Sequence, residues 1–184
     1  YVYAITGGDI QIIDVSTPET PQIINTIYGL TAYSIFSVGN LLYIGGYPDL
    51  TIWDVSDPMN PFEMGNVDGL PGGPGSTFVS GSYAYQANRY GGFFVINIQD
   101  PYAPYLVGEN LEFDYAFAVG VSGNFAYVAD RYLGLLKILD ISDPVNPFLI
   151  SSFEVGIQAR DVFASGRYAY VISPWDGVRI IDCG

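Results

Sequence analysis

Four times along this chain a run of apolar residues ends in an aspartate or asparagine, and prolines stand four and seven residues after it. The copies are Ile12-Ile13-Asp14-Val15-Ser16-Thr17-Pro18-Glu19-Thr20-Pro21, Ile52 to Pro61, Ile96 to Pro104 and Ile138 to Pro147, and a fifth opens at Ile180-Ile181-Asp182. The first prolines stand at 18, 58, 101 and 144, at steps of 40, 43 and 43. Such a period is the length of one four-stranded antiparallel unit of a stacked or radial array. Each unit of that kind buries its faces against its neighbours, so repeat number constrains the fold more than total length does.

The repeat can be read strand by strand, with the letters a to d running from the inside outward. Gly39-Asn40, Gly81-Ser82, Gly123-Asn124 and Gly166-Arg167 each separate two alternating apolar runs. Glycine at the first central position is what a type II′ hairpin requires, so each pair joins strand a to strand b. Strand b is aromatic, as in Tyr83-Ala84-Tyr85 and Phe125-Ala126-Tyr127, and its tyrosines are expected between units. Strand c carries the near-continuous apolar run that suits a strand covered on both faces. In the turn that follows, a polar residue at the first position and proline at the second favour type I geometry. The second proline (Pro21, Pro61, Pro104, Pro147) opens strand d, and since it lacks an N–H it places that strand at the sheet edge. The order becomes bcd, abcd, abcd, abcd, abc.

These motifs resemble the LVIVD repeat, a β-propeller motif of bacterial and archaeal surface and secreted proteins. The likeness rests on the Ile-Asp-Val-Ser-Asp-Pro-x-Asn-Pro core and on Val121 to Asp130, and it covers essentially the whole chain. It implies an all-β propeller of four-stranded antiparallel blades. About four and a half repeats are present, in segments 1–30, 31–70, 71–112, 113–156 and 157–184, as part of a six- to eight-bladed ring or of an array completed by another chain. Local departures are Asn97 in place of the strand-end aspartate and Pro71-Gly72-Gly73-Pro74-Gly75 in place of the start of an inner strand, where a mobile loop is expected. A scaffold of this kind brings no shared catalytic residues.

Composition narrows function by exclusion. Six basic residues face nineteen acidic ones, for a formal charge of −13, and none of the basic residues precedes Arg89. Nucleic acid and anionic membranes call for a basic surface, so a cation or a basic partner fits better. With 49% apolar and 16% aromatic residues the chain is far from disordered. It contains no histidine and one cysteine, which removes the commonest general base, an intrachain disulfide and a cysteine-built zinc site. Cys183 stands where other repeats have Val15, Val55 and Ile141, and is expected in the core. No apolar run is long enough to span a membrane as a helix. The first residue is Tyr1, as expected of a processed protein or a piece of a longer one.

The a–b and c–d turns fall at one end of the unit, so the b–c and d–a loops gather at the other. There the b–c loops bring Tyr47, Asp49, Arg89, Tyr90, Asp130, Arg131, Tyr132, Trp175 and Asp176, and the d–a loops bring Asp68, Asp114, Tyr115, Arg160 and Asp161. Aromatics beside carboxylates and arginines can hold a glycan or a peptide by stacking and charge-assisted hydrogen bonds. Asp130 with Asp176 is the pair a hydrolase would draw on. Asp14, Asp54, Asp140 and Asp182 invite calcium, but one per repeat makes no compact motif, and turn hydrogen bonding is the expected role. The function expected is a non-enzymatic extracellular or cell-surface interaction or assembly module. Its partner is a protein, or its own copies through the terminal strand edges. The alternatives are a loop-face glycan or peptide binder or hydrolase, and a filament subunit completed by strand pairing.

Overall fold

The structure, a computed structural model, describes residues 1–156 and 158–184. These form eighteen strands and no helix, arranged as five antiparallel sheets. Sheet 1 holds β1 (Val2–Thr6), β2 (Asp9–Asp14) and β3 (Gln22–Ile27). In sheet 2 are β4 (Ser34–Val38), β5 (Leu41–Gly45), β6 (Leu50–Asp54) and β7 (Phe62–Val67). β8 (Thr77–Ser80), β9 (Tyr83–Asn88), β10 (Gly92–Asn97) and β11 (Tyr105–Asn110) make sheet 3. Sheet 4 is β12 (Ala116–Ser122), β13 (Phe125–Asp130), β14 (Leu135–Asp140) and β15 (Phe148–Glu154). Sheet 5 ends the chain with β16 (Asp161–Ser165), β17 (Tyr168–Ser173) and β18 (Gly177–Asp182). The strand order is the one the repeat dictates.

Local chemistry sets each joint. Gly39, Gly81, Gly123 and Gly166 have φ between 57° and 60°, and the residue after each stays at negative φ, the signature of a type II′ turn. In the Asp-Pro turns the carbonyls of Asp57 and Asp143 accept the N–H of Asn60 and Asn146 at 3.0 and 3.2 Å. The preceding strand-end residue closes a second small ring: Asp14, Asp54 and Asp140 accept the N–H of Ser16, Ser56 and Ser142 at 2.7–2.8 Å, and Asn97 accepts from Gln99 at 3.0 Å. Asparagine therefore replaces aspartate at 97 without loss of the turn, because the bond needs only a side-chain oxygen.

The sheets stack in chain order, and the core is four clusters, one in each gap. Ile10 and Ile12 of sheet 1 meet Leu42, Ile44 and Val55 of sheet 2. Tyr43, Leu50 and Ile52 meet Val79, Ala84 and Ile96. Tyr85, Phe93 and Val95 meet Val119, Ala126 and Leu139, and Tyr127, Leu136 and Ile138 meet Val162, Ala169 and Val171. One tyrosine of strand b thus enters each of the last three gaps, and burial raises the phenol pKa of Tyr43, Tyr85 and Tyr127. Each such buried side chain contributes about 1.5–3 kcal/mol of hydrophobic stabilisation.

Two features were not anticipated from the repeat. Every c–d pair slips register at the same position, between Ile12 and Ile13, Ile52 and Trp53, Val95 and Ile96, and Ile138 and Leu139, so each outermost strand carries a β-bulge. Just beyond the bulge, a residue of strand d faces the Asp-Pro turn of the next sheet. Asn25 there donates to Pro58 O and Met59 O, both at 3.0 Å. At the equivalent Gly65 and Gly108, a Cβ would lie 2.6 Å from Pro101 O and from Val145 O, closer than any side chain permits. Loop 71–75 is also tightly seated: a Cβ on Gly72 would collide with the backbone of Asn88 and Gly91.

The last sheet breaks the pattern. Val178 and Ile180, equivalent to the fully buried Leu50 and Ile52, are 62% and 65% exposed, and Phe163 beside them is exposed too. Next to Ser151, where earlier sheets receive the following Asp-Pro turn, there is a cavity of about 170 Å³ lined by Tyr127, Ile138, Ile150 and Cys183. Cys183 packs at the edge of the fourth cluster, and burial raises its thiol pKa.

Candidate functional site

At the end of the stack where strands a begin, four successive repeats each place the residues of the same two positions around one pocket. They are Tyr33-Ser34, Gly75-Ser76, Phe117-Ala118 and Arg160-Asp161, and Arg89 from the b–c loop of sheet 3 completes the wall. The pocket has a volume of about 230 Å³. Equivalence of the positions is visible in the backbone: Tyr33 N–H donates to Gly45 O, and Arg160 N–H to Ile172 O, each at 2.8 Å. Strand a is the inner strand of each sheet, so its first residues converge from four directions. The repeat builds the frame and varies the side chains hung on it.

Aromatic rings line this face in two groups. Tyr33 meets Tyr47 edge-on at 6.3 Å, and the Arg89 guanidinium lies 4.7 Å above the Tyr33 ring. Tyr115 sits between Tyr90 and Tyr132, at 4.7 and 4.5 Å, and stacks on Phe117 at 6.0 Å. The Tyr90 and Tyr132 hydroxyls are 3.3 Å apart, and that hydrogen bond raises the Tyr90 phenol pKa. Arg131 lies 4.8 Å over Phe117 and donates through Nε and Nη2 to Gln158 Oε1 at 3.0 and 2.6 Å. Arg89 (φ 35°) and Gln158 (φ 69°) are the two non-glycine residues in the left-handed region among the described residues, and both stand here.

The carboxylates divide sharply. Asp130 is fully buried: its oxygens accept the Asp114 and Tyr115 N–H at 3.1 and 3.2 Å and pair with Lys137 Nζ at 3.1 Å. Lys137 also donates to Glu112 O and lies 4.6 Å over the Phe113 ring. Asp49 is buried as well and accepts the Leu70 N–H at 2.7 Å; desolvation holds its carboxyl above the usual carboxylate range. Asp49 therefore ties down the d–a loop that follows it, and Asp130 the d–a loop that precedes its sheet. Asp176 pairs with Arg179 at 3.8 Å on sheet 5, beside the exposed Trp175. An Asp130–Asp176 hydrolytic pair is ill served by this arrangement, because three donors already occupy Asp130.

The cations divide as clearly. Lys137, Arg167 and Arg179 each pair with an aspartate, and Arg131 has Gln158. Arg89 and Arg160 have no acidic partner among the described residues, and both line the pocket. Arg89 Nε is buried and makes no hydrogen bond, and neither does the side-chain amide of the neighbouring Asn88. Sheet 4 has Asp130 at the position of Asn88, supplied with N–H groups by its d–a loop. In sheet 3 the corresponding loop is the Pro-Gly-Gly-Pro-Gly stretch, whose two prolines have no N–H to give.

The sequence profile of the LVIVD repeat matches residues 31–69, 71–111, 115–155 and 156–183. The chain belongs to the LVIVD repeat family. No curated protein matches it in sequence. In fold it is similar to the computationally designed protein Ika4 (TM-score 0.68, 13% identity, 83% of this chain and 91% of that one). It is also similar to the designed Ika8 (TM-score 0.69, 10% identity, 97% and 56%). A functionally unknown protein from Desulfotomaculum acetoxidans DSM 771 matches with TM-score 0.73 at 14% identity, over 90% of this chain and 56% of that one. At these identities the likeness is one of fold. This LVIVD repeat chain spans little more than half the length of the last two.

Of the residues expected at the site, Tyr47, Arg89, Tyr90, Arg131 and Tyr132 come together on the aromatic face, while Asp49 and Asp130 lie beneath it. Tyr33, Ser34, Ser76 and Phe117 were not anticipated. Aligning the repeats would have marked them, because the first of the two positions carries a different residue in each unit, Tyr33, Gly75, Phe117 and Arg160, at the same distance from the hairpin glycine.

Proposed function

We propose that this LVIVD repeat chain is a segment of a β-propeller, a non-enzymatic interaction and assembly module at the cell surface or outside the cell. Its end faces are completed by further sheets of the same repeat. One observation carries the reading: the positions that are fully buried as Leu50 and Ile52 in sheet 2 are exposed as Val178 and Ile180 in sheet 5. A contiguous apolar sheet face of this kind marks an interaction surface. The covering element is a sheet of the same repeat because every earlier gap is filled that way. Two similar structures extending well beyond the matched part support a larger array. The extracellular setting is what the family resemblance implies. The engagement of Asp130 by three donors favours binding over hydrolysis.

Light scattering on the 184-residue chain, with Ile180→Asp beside it, tests this proposal. Association well above 20 kDa that the aspartate abolishes is the expected result. A wild-type chain that stays monomeric and binds no hydrophobic dye would overturn it.

A further inference from the structure

We propose that the pocket where the inner strands converge binds a single monoanionic sugar acid of the hexuronate class, with the carboxylate on Arg89 and Arg160. The pocket lies wholly within sheets 2 to 5, so this inference does not rest on how the ends of the array are completed. The charge pattern comes first. In a chain with six basic residues against nineteen acidic ones, two arginines at one cavity without an acidic partner among the described residues are the reverse of what chance pairing would leave. Arg89 is moreover held at φ 35° with its Nε buried and unbonded, a cost in free energy that fixes the guanidinium at the pocket wall. Two guanidinium groups and an anion make charge-assisted hydrogen bonds, the stronger class.

The remaining walls choose among anions. Tyr33 and Phe117, whose rings already carry Arg89 and Arg131, add apolar ring carbon to the wall for the C–H groups of a sugar. Ser34 Oγ lies 3.1 Å from Thr77 Oγ1 and keeps bonding capacity for a hydroxyl, and the Asp161 carboxylate accepts another. A phosphate would bring up to two negative charges against Asp161 and a protein of net charge −13, whereas a carboxylate brings one. About 230 Å³ is below the size of pockets that take drug-sized ligands and suits one monosaccharide ring.

The test is calorimetric titration of the chain with D-galacturonate, D-galactose and inorganic phosphate, followed by amide chemical shifts. Galacturonate is expected to bind at least about tenfold more tightly than galactose or phosphate. Arg160→Gln, an exposed change that leaves the fold intact, is expected to remove that preference, and the Ser34 and Gly75 amides are expected to shift in the wild type. The proposal fails if galactose binds as well as galacturonate, if phosphate binds more tightly, if Arg160→Gln leaves the preference unchanged, or if galacturonate gives neither heat nor shifts at those amides.

Discussion

Sheets 3 and 5 are copies of one repeat, yet they present the same positions to opposite surroundings. Phe93 and Val95 are fully buried under sheet 4, while Val178 and Ile180 face outward. The side chains are equally apolar, so burial here belongs to the gap between two sheets and not to either sheet alone. An aromatic or branched residue at these positions is therefore a promise of a neighbour, and its value in stability depends on whether that neighbour is present.

The sharpest way to break this comparison is at Phe93. Phe93→Ala is expected to cost about 3–5 kcal/mol in urea unfolding, the usual range for emptying a packed aromatic site. Asp130→Ala follows, at about 3 kcal/mol or more, because it strands Lys137 in a largely buried position. Replacing both partners with Asp130→Leu and Lys137→Met is expected to recover part of that loss, which a merely local role for Asp130 would not give. Gly108→Ala is expected to cost about 1–3 kcal/mol, since the new Cβ meets the carbonyls of Pro144 and Val145. The equivalent Ser151→Ala is expected to fall within about 0.5 kcal/mol, because no turn packs on it. Equal costs at the two sites would mean that the packed turn does not set the cost at Gly108.

A finer test uses pH. The hydroxyl of Ser142, then its N–H, holds the Asp140 carboxyl below the usual carboxylate range, and Ser56 does the same for Asp54. Carboxyls lowered on folding stabilise above their unfolded pKa of about 3.9 and lose that contribution as pH falls through the lower folded value. Stability should therefore drop on acidification below about pH 4, and Asp140→Asn should make that drop shallower in an acid titration followed by circular dichroism. Asp49 has the opposite sign, its raised carboxyl favouring the fold at low pH, but it is one group against several. The smallest effect is expected from Ile180→Ala, within about 0.5 kcal/mol in dilute monomer. Its unfolding midpoint should become independent of protein concentration, which is how the contrast with Phe93→Ala is read.

The strand order was legible in the sequence because turn chemistry is local. Gly-Asn hairpins and Asp-Pro turns need only their own backbone geometry, and the two prolines forbid ladder bonds wherever they stand. Residues whose role is set by another repeat were not legible. Asp49 and Asp130 read as loop carboxylates until the d–a loops of the fold bring Leu70, Asp114 and Tyr115 onto them. Tyr33 and Phe117 belong to a pocket that no single repeat contains, and Gly65 and Gly108 are glycines because of carbonyls some forty residues away.

The bulge carried at the same place in β3, β7, β11 and β15 has a consequence for growth. Outermost strands are where foreign strands add to a sheet, and a bulge spoils the regular row of N–H and C=O groups they would need. With the rims of sheets 1 to 4 disarmed in the same way, the array can be extended along its stacking axis but not widened there, so duplication of a complete repeat lengthens it without opening a new sticky edge.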